Sequence, residues 1–244
     1  MVPTRVDILN IPVDCVTMDQ AVAWADSRMT LSEPKTVIAV NPEKIMKAQS
    51  DPTLRQFLRS AGLLIPDGIG VVIATKLLGL GYAERVPGSE LMPRLCGLAA
   101  EKGYSIFLFG ASPEVNERAA HKLRQEFPGL TIAGTQHGYV DDADMPAVID
   151  HINAVAPHFL FIALGSPKQE LWMSTYLPRL RVKVCQGVGG TFDVLAGRVK
   201  RAPWIFRCIH LEWFYRLLSQ PSRLVRQTAL PLFAFHILRK RVLG

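Results

Sequence analysis

Cysteine is sparse in this chain. Its four residues, Cys15, Cys96, Cys185 and Cys208, show no paired spacing, which excludes a disulfide framework and points to a reducing compartment. The six histidines have no metal-ligand spacing with one another or with cysteine, so no metal centre is assigned. Long hydrophobic runs are missing too: no uncharged apolar run reaches the length of a spanning helix, and the tail's candidate, Gln227 to Leu238, has 12 residues and contains Pro231. A membrane-spanning helix needs roughly 20. Arg5 and Asp7 stand where a secretory leader needs an apolar core, so secretion is not expected. There is no phosphate-binding P-loop, no serine elbow between glycines, and Gly187-x-Gly189-Gly190 misplaces the third glycine of the dinucleotide fingerprint.

Acidic residues are nearly absent from one region. Arg198 to Gly244 holds ten Lys or Arg against one acid, Glu212, while residues 1 to 197 hold 18 basic and 20 acidic groups. A near-neutral body therefore carries a basic tail, which calls for an anionic partner at the tail alone. That tail mixes its arginines with Trp204, Trp213, Phe214, Phe233 and Phe235, a composition that suits an anionic membrane surface better than a nucleic-acid duplex. With 49% apolar and 20% charged residues over 244 positions, the chain has enough for a full core.

What is present is a succession of short apolar runs that end in turn residues. Thr36 to Val40 stops at Asn41-Pro42, and Leu63 to Ile65 stops at Pro66-Asp67-Gly68. Tyr104 to Phe109 stops at Gly110, Phe159 to Leu164 at Gly165, and Val182 to Val188 at Gly189-Gly190. Such uncharged runs read as strands buried on both faces. Helical segments alternate with them, several opened by a capping residue before proline, including Ser166 before Pro167. The strongly apolar Ile69 to Leu78 is expected to form a helix buried on most sides. The weakly alternating Val6 to Val13 reads as an edge strand or hairpin arm. The expected fold is α/β: a doubly wound, mostly parallel, Rossmann-like sheet over residues 1–197, then a helical, membrane-associating appendage over 198–244.

In such folds ligands bind outside the carboxyl ends of the strands. Asp67 and Asn41 lie at strand ends; each reads either as a turn-former or as a polar group at the reacting centre, where a carboxylate can take a proton from a sugar hydroxyl. Lys168 reads equally as a phosphate contact or a solvated lysine. The turn Gly187, Gly189, Gly190 and Thr191 offers backbone N–H groups to an anion. Asp142 and Asp144 form an Asp-x-Asp, the spacing of some metal-diphosphate sites, but as acids ahead of a helix they are better read as favouring its positive end.

Taken together, the sequence resembles the WecG/TagA/CpsF glycosyltransferases, also called glycosyltransferase family 26. The resemblance runs through Asn41-Pro42-Glu43-Lys44, Pro66-Asp67-Gly68, Arg85-Val86-Pro87-Gly88-Ser89, Leu108-Phe109-Gly110 and Gly165-Ser166-Pro167-Lys168-Gln169-Glu170. It continues through Gly187-Val188-Gly189, Phe192-Asp193, Ala196-Gly197, Arg201-Ala202-Pro203 and Leu211-Glu212-Trp213-Phe214-Tyr215-Arg216-Leu217. It implies a bacterial enzyme of cell-surface polysaccharide synthesis, peripheral on the inner face of the membrane, moving a sugar from a UDP-sugar to a polyprenyl-diphosphate-linked acceptor with inversion. It also implies that Asp67 is the base, that Asn41, Arg85 and Gln169 line the site, and that Arg216, Arg223 and Arg226 meet the membrane and lipid diphosphate. Members often carry Thr where this chain has Ala39, so any hydroxyl contact that the Thr makes to substrate is absent here. No cofactor and no nucleic-acid partner are expected; oligomeric state, monomer or homo-oligomer, is not fixed by the sequence. Two other classes stand against this reading. A nucleotide-cofactor oxidoreductase would need a glycine fingerprint after the first strand of the sheet, and a membrane-surface adaptor would leave the polar strand ends without a purpose.

Overall fold

The computed structural model describes residues 3–199, the single positions 203, 206 and 215, and residues 228–243. The chain opens with a two-stranded antiparallel hairpin, β1 (Thr4–Ile8) and β2 (Ile11–Cys15). Helix α1 (Met18–Asp26) follows, held by a capping box in which Thr17 and Gln20 satisfy each other's backbone N–H groups. Then come β3 (Lys35–Val40), α2 (Pro42–Ser50), α3 (Pro52–Ser60), β4 (Leu63–Pro66), α4 (Ile69–Leu77) and α5 (Gly88–Lys102). The second half runs β5 (Ser105–Gly110), α6 (Pro113–Glu126), β6 (Thr131–Gln136), α7 (Met145–Val155), β7 (Phe159–Ala163), α8 (Lys168–Tyr176), β8 (Val184–Gly187) and α9 (Thr191–Leu195). The last described helix is α10 (Ala229–Leu243).

Six strands form one parallel sheet in the order β4-β3-β8-β7-β5-β6. Successive side chains point to opposite faces, and the apolar runs fill both. Ile38, Val40, Phe107, Phe109, Leu160 and Ile162 pack with α2, α3, α7 and α8 on one side. Val37, Ile106, Leu108, Phe159 and Phe161 pack with α1, α5 and α6 on the other. This two-faced burial is the Rossmann-like α/β architecture expected from the uncharged runs. From β5 the chain moves outward to β6, and from β7 it moves the opposite way to β8. The connections thus diverge at the β5–β7 pair and open a crevice at its carboxyl end.

Three local expectations change. The run Val6 to Val13 contains a turn: Leu9 and Asn10 take positive φ, and both hairpin arms fall within it or beside it. Helix α4 buries Val71 and Ala74 but exposes Ile73 and Leu77, because among the described residues β1 and α10 are its neighbours and no second layer lies over it. Ser166 does not cap α8. The Ser166–Pro167 peptide is cis, the helix begins at Lys168, and Gly165 O accepts from Gln169 N at 2.9 Å, so main chain closes that turn.

Helix α10 falls in the expected appendage, yet Phe233 and Ile237 belong to the same buried cluster as α2 and α4. Gly70 marks the seat: a Cβ there would lie 2.8 Å from Pro42 Cγ and 4.0 Å from Phe233 Cε1. Pro42, Gly70 and Phe233 therefore stack without room for a larger residue at 70. Leu232, Phe235 and Leu238 on the same helix stay exposed.

Candidate active site

The first half of the site is assembled by main chain. Asp67 N donates to Val40 O at 2.8 Å, so the turn after β4 is tied to the end of β3 immediately before Asn41. Val86 N donates to Pro66 O, also at 2.8 Å, which brings the Arg85 loop against that same turn. Asn41, Asp67 and Arg85, far apart in sequence, thereby occupy one rim. Asn41 caps α2, accepting from Lys44 N at 2.8 Å through Oδ1. The capping role read from its sequence position is real, and it orients the side chain at the rim. Asp67 is half-buried, and the Arg85 guanidinium lies 3.6 Å from the Glu90 carboxylate.

The second half lies at the ends of β7 and β8. Gln169 and Glu170 open α8 and are both buried. Gln169 uses both ends of its amide: Oε1 accepts from Gly189 N at 3.0 Å and Nε2 donates to Glu170 Oε1 at 3.1 Å. Glu170 Oε1 also accepts from Lys44 Nζ at 2.6 Å. Gly187 is required for this arrangement, since a Cβ there would lie 2.6 Å from Gln169 Nε2. Thr191 is closed in on Val188 O, through N at 3.1 Å and Oγ1 at 2.6 Å. Of the glycine turn expected to present amides to an anion, Gly189 and Thr191 already use theirs within the protein, and Gly190 borders open space. The buried thiol of Cys185 on β8 has its pKa pushed up by desolvation, so it stays protonated and is no nucleophile.

That open space is a cavity of about 590 Å³ in the β5–β7 crevice, lined among others by Ser112, Tyr139, Lys168, Gly190, Asp193 and Arg198. It combines an exposed aromatic ring, two cations and a carboxylate. The amino ends of α6 and α8 also meet it, at Ser112 and Lys168. Lys168 and Gly190 face this cavity, whereas their neighbours Gln169 and Gly189 turn back toward Lys44 and Asn41. The two halves of the site are therefore contiguous through adjacent residues.

Tyr139, Asp193 and Arg198 were not singled out from sequence as lining residues; their proximity arises only when the loops after β6 and β8 converge. Asp142 and Asp144 are exposed ahead of α7. Asp144 holds the N-cap position without a side-chain cap bond, so what remains of the expected role is its charge near the helix's positive end. Among the described residues no three His, Cys, Asp or Glu side chains converge as metal ligands. Arg216, Arg223 and Arg226 lie outside the described residues.

Over residues 6–244 the sequence matches the family described as the Glycosyl transferase WecG/TagA/CpsF family. A Bacillus spizizenii protein named N-acetylglucosaminyldiphosphoundecaprenol N-acetyl-beta-D-mannosaminyltransferase is 38% identical over 203 residues, 83% of this chain and 78% of that protein. A Staphylococcus aureus protein of the same name is 35% identical over 239 residues, 97% of this chain and 93% of that protein.

Proposed function

The chain belongs to the WecG/TagA/CpsF family of glycosyl transferases, and from that premise we propose a specific reaction. It is an inverting, metal-independent transfer of a sugar from a UDP-sugar to a saccharide carried on a polyprenyl diphosphate. The relatives' names specify a sugar-diphosphoundecaprenol acceptor, and the same acceptor class is assigned here. The uridine diphosphate occupies the β5–β7 cavity, its base beside Tyr139, its ribose within reach of Asp193 and its phosphates toward Lys168, Arg198 and the amino ends of α6 and α8. Asp67 removes the proton from the acceptor hydroxyl, which attacks the anomeric carbon from the face opposite the departing diphosphate. Asn41 and Arg85 orient the sugars on the same rim. With cations and helix ends to meet the leaving-group charge, the step needs no metal.

The observation that carries this reading is the contiguity of the cavity and the Asp67 rim, made by residues 168–169 and 189–190 facing the two halves in turn. The membrane partner is argued from the exposed Ile73 and Leu77 of α4 and Leu232, Phe235 and Leu238 of α10. Lys76, Arg239, Lys240 and Arg241 are also exposed on these two helices. No described helix is long and apolar enough to cross a bilayer, which suits peripheral attachment at the inner face. Arg216, Arg223 and Arg226 are assigned to the lipid diphosphate.

The test is a panel of UDP-sugars incubated with the purified chain and a short-chain polyprenyl-diphosphate N-acetylglucosamine. Release of UDP with formation of a lipid-linked disaccharide of inverted anomeric configuration is expected. Transfer only from another nucleotide class, or retention of configuration, would overturn the reading.

A further inference from the structure

Lys44 and Glu170 form an ion pair that the reaction described above does not use. Their side chains are 6% and 0% exposed, and 126 positions separate them in sequence. Removing two charges from water is costly, and an apolar pair of similar volume is often as stable or more so. Fold stability alone is therefore a poor reason for the pair. Its connections supply another. Lys44 gives its main-chain N–H to Asn41 Oδ1 and its ammonium to Glu170 Oε1. The same carboxylate oxygen accepts from Gln169 Nε2, and Gln169 Oε1 in turn accepts from Gly189 N. The second oxygen, Oε2, is buried and accepts from no described group, so among the described residues the hydrogen bonds to this carboxylate all fall on the oxygen that serves this chain of contacts. The path runs from the residue beside the Asp67 turn, across the end of β7, to the turn after β8.

We propose that Lys44 and Glu170 are positioning residues that set the orientation of the Gln169 amide. Through it they fix the spacing between the Asn41 rim and the Gly189–Gly190 turn. The ammonium decides which way the amide points: with Oε1 of Glu170 charged and held, only Nε2 of Gln169 can face it, so Gln169 Oε1 must face Gly189. Without the charge the amide is held at one end only, by Gly189 N–H, and that single bond no longer fixes where the side chain sits, so the turn's anchor loosens. This assignment rests on the transferase reading for its catalytic consequence, but its structural consequence stands alone.

The experiment replaces both partners at once, Lys44→Met with Glu170→Leu, so that no buried charge is left unpaired and folding is retained. Thermal unfolding should be at or above that of the wild-type protein. Transfer should nevertheless fall in kcat by about 10²-fold, the loss expected from small misplacement of reacting groups. The apparent pKa of the acidic limb of the rate profile should not move, because the base is untouched. Glu170→Gln, which keeps an oxygen facing Lys44, should recover part of the loss. Hydrogen exchange of the Gly189 amide provides a readout free of activity: its protection should drop by at least about 10-fold in the folded double variant as the Gln169 bond is lost. Wild-type kcat together with unchanged Gly189 protection would overturn the proposal. Lost protection in a chain that transfers no sugar even as wild type would instead refute the transferase reading and leave the positioning role intact.

Discussion

Asp14→Ala isolates how the hairpin secures the margin of the sheet. Asp14, with its side chain 1% exposed, accepts from Arg5 Nε at 2.7 Å and from Arg5 NH2 at 2.8 Å. Its Oδ2 also accepts from Leu64 N at 2.7 Å. β4 is an edge strand, so this Leu64 N–H is one the sheet itself leaves unpaired, and Asp14 supplies what a seventh strand would have given. Truncation orphans a buried amide, worth about 1–3 kcal/mol. Arg5 suffers less: its side chain is about one-third exposed and it still donates to Ala61 O and Gly62 O, so its loss is about 1 kcal/mol. The sum is about 3 kcal/mol, which in a chain of this size lowers Tm by roughly 6–12 °C. Urea titration and calorimetry would measure it. Asp19→Ala, which breaks the exposed pair with Arg94, should change stability little and serves as the reference. Leu64 lies near the start of β4 and Asp67 beyond its end, so kcat well below the transition should be unaffected. A loss below about 1 kcal/mol would refute the reasoning, since it would mean that Leu64 N–H finds another partner at no cost.

Asp67→Asn should reduce transfer about 10²–10⁴-fold with UDP binding retained, and EDTA should leave wild-type turnover unchanged; near-normal turnover in the variant would remove Asp67 from the chemistry. His158 accepts from Ser105 N through Nδ1 at 3.1 Å, and burial first, then the Lys183 charge, lowers its pKa from the ordinary value. The unfolded chain therefore takes up this proton before the folded one does, and stability falls as pH drops below about 6.5. His158→Gln, which keeps an acceptor for Ser105, should flatten that slope between roughly pH 7 and 5, and parallel stability curves for the two proteins would rule the origin out. Deleting residues 219–244 removes Phe233 and Ile237 from the core cluster together with five basic residues, Arg223, Arg226, Arg239, Lys240 and Arg241. The truncated chain should be less stable, bind anionic vesicles weakly and lose most transfer to a lipid-linked acceptor, with wild-type vesicle binding counting against the membrane role.

The strands and their rims were legible because burial on both faces demands uncharged runs, and a parallel strand must end in a turn at the binding edge. Asn41, Asp67 and Gly189 could be placed at that edge from sequence alone. The connections between rims could not. Lys44 meets Glu170 only after β7 has crossed to a place two strands from β3, and Gly187 looks like a phosphate-loop glycine until Gln169 is seen lying across it. The hairpin turn escaped because Leu9-Asn10 lacks the glycine that usually announces positive φ. Apolar content likewise misjudged α4, since composition reports what a helix can bury and not whether a neighbour arrives to cover it.

The stack of Pro42, Gly70 and Phe233 has a thermodynamic corollary. Pro42 follows Asn41 directly, Gly70 stands three residues beyond Asp67, and Phe233 belongs to a helix whose outer side is apolar and basic. Coupling free energies are reciprocal. If a lipid surface holds α10 in this seat and the seat is coupled to the Asn41–Asp67 rim, the factor by which the surface strengthens acceptor binding at the rim must equal the factor by which bound acceptor strengthens attachment to the surface. Attachment and acceptor binding would then share one coupling free energy, read from either end.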